Sequence, residues 1–133
     1  MRIRYHIIVS AAISVLSYLA TGRLESALIL FSIGSFVDID HVLDYYLAHR
    51  KLTINTEDLV NEGNPHYLVL HSIELLITLG FLAAVYQEMT YLSIGYTAHL
   101  AMDIAGNTRI KNHHRLNFYS TLYRWKNRWC RDT

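Results

Sequence analysis

Histidine and carboxylate residues recur in this sequence at helical spacings, inside stretches that are otherwise oily. His99 and Asp103 are four apart, His71 and Glu74 are three apart, and Asp38 and His41 are three apart, so the members of each pair share a helix face. His6 stands near the start of the first oily stretch and Asp40 lies between Asp38 and His41. Imidazole nitrogens and carboxylate oxygens suit zinc, manganese or iron, and the absence of paired thiolates argues against a structural zinc site. The expected cofactor is therefore a divalent metal ion, zinc or manganese ahead of iron. Such an ion lowers the pKa of a bound water, and a nearby carboxylate, Glu74 or Asp40, is placed to take the proton. The chemistry this predicts is hydrolysis of an ester or phosphoester.

Each residue also has a plainer role open to it. His6 can be an interfacial residue, and His71 with Glu74 can be a hydrogen-bonded pair that opens a helix. Asp38 and Asp40 can end a helix, although carboxylates oppose the negative pole of a helix C-terminus and need a cation there. His99 and Asp103 resist such readings because both lie in an apolar run and on one face. Ionisable groups inside a membrane span are costly and mark function, so their gathering at one depth carries more weight than any member alone.

The elements that must position them follow from composition. The chain has 133 residues, of which 52% are hydrophobic and 17% charged, and its mean hydropathy is +0.16. The polarity is concentrated in a loop over 48–66 and a basic aromatic tail over 107–133, which leaves oily runs over 5–21, 24–42, 67–87 and 89–105. Only helices or closed barrels satisfy the backbone in hydrocarbon, and a helix needs about 20 residues to cross it. These runs predict an all-α fold: a single integral membrane bundle of about four transmembrane helices. A soluble helical domain and a cleaved leader beginning at Arg2 and Arg4 are the alternatives.

Charge then orients the bundle. With hairpins at Gly22 and Gln87, all of the Lys and Arg residues except Arg23 fall on one face. By the positive-inside rule that face is cytoplasmic, which makes this a multi-pass protein of the cell (inner) membrane with its site facing the cytoplasm. In the tail, Phe118, Leu122, Trp125 and Trp129 form one stripe while Arg124, Arg128 and Arg131 fall elsewhere. This predicts a C-terminal amphipathic interfacial helix on an anionic leaflet, with packing against the bundle as the alternative. The expected partners are the lipid bilayer and a lipid-like or membrane-proximal substrate. Nucleic acid is not expected, since the basic residues come without a recognised module. The single cysteine, Cys130, forms no internal disulfide.

Three blocks carry a family resemblance: Phe36-Val-Asp-Ile-Asp-His41, His66-Tyr-Leu-Val-Leu-His71-Ser72, and Gly95-Tyr-Thr-Ala-His-Leu-Ala-Met-Asp103. Together they resemble the membrane-bound metal-dependent hydrolase superfamily, which includes the LexA-binding, inner-membrane-associated hydrolases. The likeness runs from His6 to about Asn107. It implies a metal-dependent hydrolase with Asp38, Asp40, His41, His66, His71, His99 and Asp103 in the motif positions. Two features depart from the pattern. Tyr67, Leu68 and Leu70 stand where many members have Arg, Gly and Thr, and a long polar stretch precedes that block. A di-iron carboxylate bundle is a rival enzyme class, but it uses Glu-x-x-His and about four Glu. The rival of another kind is a non-enzymatic membrane protein in which the cluster is a structural metal staple or an ion pathway.

Overall fold

The computed structural model describes residues 3–53, 55, 59, 68–106 and 116–129. Among these the chain is all-helical, without strands. The helices are α1 (Ile3–Thr21), α2 (Leu24–Phe36), α3 (Ile39–His49), α4 (Ile73–Val85), α5 (Met89–Gly106) and α6 (Thr121–Trp129), the last preceded by a 3-10 turn at Leu116–Tyr119. Predicted metal ligand His66 lies outside the described residues, as does most of the 48–66 loop.

Local chemistry sets the boundaries. Gly22 ends α1 with φ 66°, a left-handed conformation that glycine adopts without steric cost, and its N–H donates to Tyr18 O at 2.8 Å. Ser72 caps α4 by accepting from Leu75 N–H at 3.2 Å. The predicted 24–42 helix is interrupted by a turn at Val37–Asp38, after which α3 starts. Asp38, the residue after the C-cap of α2, and Asp40 therefore also sit at the positive end of a new helix, which offsets the electrostatic objection to them.

α1 packs on α2, α2 on α5 and α5 on α4, while α1 also meets α5. Small residues bring these helices close together. A Cβ at Gly34 would run into the side chain of Ser10, and one at Gly95 would lie 3.3 Å from Leu30 O. Close approach through small residues is how helices associate where surrounding solvent is itself apolar.

The distribution of polarity is inverted relative to a water-soluble bundle. Among the described residues, buried polar side chains outnumber buried apolar ones; the former include Ser10, Ser14 and Ser26 beside the His and Asp residues. Meanwhile Ile8, Leu16, Leu19, Leu24, Leu28, Ile77, Phe81 and Val85 are exposed. One run, Leu24–Leu47, is long and apolar enough to cross a membrane; Tyr5–Thr21 and Ile73–Val85 are apolar but shorter.

Two glycine substitutions separate close packing from helix propensity. Gly34→Ala should lower the melting temperature in detergent, since overpacking typically costs about 1–3 kcal/mol. Nothing lies within 4 Å of a Cβ at Gly80, so Gly80→Ala should leave the melting temperature unchanged or raise it, an interior helical Gly costing about 1 kcal/mol relative to Ala. Equal melting temperatures for the two variants would show that α1 and α2 do not approach as described.

Candidate metal centre

Four separate segments deliver the cluster. α1 supplies His6, the turn and first residues of α3 supply Asp38, Asp40 and His41, the segment before α4 supplies His71, and α5 supplies His99 and Asp103. His6 and His99 are fully buried, and His71 and Asp103 are nearly so.

Second partners of the histidines fix where their lone pairs point. His99 Nδ1 lies 2.9 Å from Gly34 O; a carbonyl only accepts, so Nδ1 carries the proton and Nε2 presents a lone pair. His71 Nδ1 lies 2.9 Å from Asp40 Oδ1, a carboxylate neighbour that likewise favours the proton on Nδ1. Asp40 is held in turn by the Leu70 N–H, which donates to Oδ2 at 2.9 Å. Imidazoles whose far nitrogen faces a carbonyl or carboxylate are the usual form of a metal-ligating histidine.

The two Nε2 atoms then face each other at 3.2 Å. His71 Nε2 is 3.3 Å from Asp38 Oδ1 and 3.1 Å from Asp103 Oδ2. His99 Nε2 is 3.5 Å and 3.6 Å from the same two oxygens. A tetrahedral ion with bonds of about 2.0–2.1 Å separates its ligand atoms by about 3.3–3.4 Å, so these five spacings lie close to the edges of one coordination shell. Around this tetrad lie His6, whose Nε2 is 3.1 Å from Asp103 Oδ1 and whose ring stacks on His99 at 4.1 Å, and His41, whose ring meets His71 edge-on at 4.5 Å. Several of these buried atoms, among them both ring nitrogens of His6 and Asp38 Oδ2, make no aligned hydrogen bond. Unpaired lone pairs this deeply buried are costly, and a cation satisfies those that point at it. The buried His/Asp group can hold a metal ion.

The predicted residues thus separate. Asp38, His41, His71, His99, Asp103 and His6 converge, and Asp40 supports His71. Glu74 is directed elsewhere: its carboxylate accepts from Ser120 Oγ, from Thr121 N–H at 3.0 Å and from Leu122 N–H at 3.3 Å, so that it caps α6. The tail reaches the cluster's edge through Arg124. This residue is 5% exposed, donates through Nη2 to Leu68 O and to Thr121 Oγ1, and stands 5.7 Å from the Phe118 ring. Burial pushes its guanidinium below the ordinary value, and the charges of Asp40, Glu74 and Asp44 oppose that shift. Leu122 and Trp125 of the predicted stripe face outward, while the half-buried Phe118 packs against the core.

Tyr96, Gly34 and the buried Asp44 were not singled out from the sequence, and Arg124 was assigned only to the basic side of the tail helix. Tyr96 is buried; its hydroxyl accepts from Ser72 N–H at 2.9 Å and donates to Ser72 O at 2.8 Å, which pins the residue next to His71 to α5. A hydroxyl three residues before His99 in an oily helix was the available signal. Compared with known proteins, the chain matches no family model, no curated protein and no solved structure.

Tyr96→Phe would leave the Ser72 N–H buried and unpaired. It should cost about 1–3 kcal/mol in thermal unfolding of the metal-free protein and weaken zinc binding through His71. Phe at the exposed Tyr86 is the matched control and should change neither. Unaltered zinc affinity in Tyr96→Phe would mean that the contact does not position His71.

Proposed function

We propose that this chain is a metal-dependent hydrolase of the cell membrane, similar in activity to the superfamily its three sequence blocks resemble. The observation that carries the reading is the tetrad of Asp38, His71, His99 and Asp103, whose donor atoms stand 3.1–3.6 Å apart where they face one another. A bound divalent ion would supply a water of lowered pKa and polarise the scissile group. The protein's own residues do the rest. Gly34 O and Asp40 hold the two imidazoles in the ligating tautomer, and Tyr96 fixes the approach of α4.

In hydrolysis the water oxygen bonds to the ester carbon or phosphorus, the bond to the leaving oxygen breaks, and the proton passes from the water to the leaving group by way of a carboxylate. Asp40 faces His71 Nδ1 at 2.9 Å and orients that ring, so the transfer falls to a carboxylate of the cluster itself. Glu74, with its oxygens engaged by α6, serves to position the tail.

The exposed apolar exterior of α1, α2 and α4 supports a membrane environment, as contiguous apolar surface on this scale marks a lipid or protein contact. We assign a multi-pass topology of about four spans in the cell (inner) membrane with the site towards the cytoplasm, on the strength of the one-sided distribution of Lys and Arg. α6, with Leu122 and Trp125 outward, fits an interfacial helix. A lipid-like or membrane-proximal ester or phosphoester is the substrate class that this depth favours. A periplasmic signal from a reporter fused at Thr133 would reverse the assigned face.

Metal binding is tested by thermal melting with and without chelator. At about a hundred times its dissociation constant a bound ion adds about 2.7 kcal/mol to folding. His99→Ala and Asp103→Asn should abolish the chelator-sensitive shift, whereas His49→Ala, at an exposed position, should preserve it. Because the ligand is the neutral imidazole, protons compete with the metal. The shift should be largest at alkaline pH and shrink as falling pH protonates the imidazoles. Absence of any chelator effect at neutral pH would end the hydrolase reading. Metal binding without hydrolysis of lipid phosphoesters or carboxyl esters would favour the structural staple.

A further inference from the structure

A single ion at the centre of the tetrad leaves a remainder. His6 is fully buried with neither ring nitrogen in an aligned hydrogen bond, although Nε2 is only 3.1 Å from Asp103 Oδ1. Asp38 Oδ2 is buried and equally without a partner. His41 lies against His71. A four-coordinate shell filled by Asp38, His71, His99 and Asp103 leaves His6 and His41 outside it and takes a water only as a fifth ligand. Leaving polar groups buried and unpaired is costly.

The donor atoms divide naturally into two sets. His6, Asp38, His99 and Asp103 offer atoms that all lie within 4.8 Å of one another, and so do Asp38, His41 and His71. Asp38 belongs to both sets and has two oxygens, Oδ1 facing the histidines and Oδ2 free. Asp103 also faces both ways, with Oδ1 towards His6 and Oδ2 towards His71. The facing Nε2 atoms of His71 and His99 are 3.2 Å apart, a separation that adjacent ions about 3.5–4 Å apart accommodate.

Resting on the metal reading above, we propose that the cluster is a two-metal centre. One divalent ion is held by His6, His99 and Asp103, a second by His41 and His71, and Asp38 bridges them through its two oxygens. In this arrangement every converging histidine has a partner, and the three-donor second site keeps a position open for water. His41 and His6, each dispensable to a single-ion tetrad, become ligands of different ions.

The test uses full-length protein in detergent, stripped with chelator, saturated with Mn²⁺ and freed of unbound metal. Metal analysis should return two Mn²⁺ per chain, and the electron paramagnetic resonance spectrum should show an exchange-coupled pair in place of the six-line signal of an isolated ion. His41→Gln and His6→Gln should each lower the content to one ion and restore the isolated signal. One ion per saturated wild-type chain, with an uncoupled spectrum, would overturn the two-metal proposal and leave the single-metal hydrolase standing. No bound ion at all would overturn both. The wild-type spectrum decides the matter even if a variant fails to fold.

Discussion

Two buried imidazole nitrogens facing each other at 3.2 Å are the constraint around which the rest of this molecule is arranged. Both Nδ1 atoms have oxygen neighbours, Gly34 O for His99 and Asp40 for His71, so the Nε2 atoms meet lone pair to lone pair unless a proton or a cation stands between them. Two carboxylates, Asp38 and Asp103, close in on the same point. A proton links one pair of atoms, whereas a divalent cation satisfies four at once. A protonated His71 among three carboxylates and a divalent cation both meet this requirement, the cation for more atoms at once, in an interior where an unmatched charge is expensive.

The scaffold can be understood as the means of holding that arrangement. Glycine and serine at the contacts of α1, α2 and α5 let backbones approach closely enough for a carbonyl of α2 to orient a histidine of α5. Tyr96 ties the start of α4 to α5. The restart of the chain at Asp38 places two carboxylates at a helix N-terminus, where the dipole supports them. Glu74 and Arg124 dock α6 from opposite sides, one capping its N-terminus and the other reaching Leu68 O beside the segment that carries His71. The interior is shared between this polar cluster and an apolar core of Val37, Leu79, Tyr96, Leu100 and Tyr119, and many further hydrophobic side chains face out.

Much of this was legible in the sequence. Periodicity placed the oily helices nearly where they lie, and the helical spacings of Asp38/His41 and His99/Asp103 identified residues that do converge. Three features were hidden. Glu74 shares a helical spacing with His71, yet His71 precedes the helix that Glu74 opens, so the spacing rule had no helix to act on. The break at Val37–Asp38 carries neither Gly nor Pro, and no local breaker announces it. Arg124 belonged, by spacing, to the basic side of an interfacial helix, but it is buried and bonded to Leu68 O, more than fifty positions away. Backbone partners such as Gly34 O have no signature of side-chain type at all. Local pattern therefore located the residues that converge, while tertiary contacts decided how each is oriented.

The central claim is that imidazole and carboxylate side chains of this interior coordinate a divalent metal. Zinc K-edge X-ray absorption on the purified, zinc-loaded protein tests it most directly. The account predicts a shell of nitrogen and oxygen at about 2.0–2.1 Å with the outer-shell scattering of imidazole and no sulfur. A shell containing sulfur at about 2.3 Å, or oxygen alone without imidazole, would contradict it.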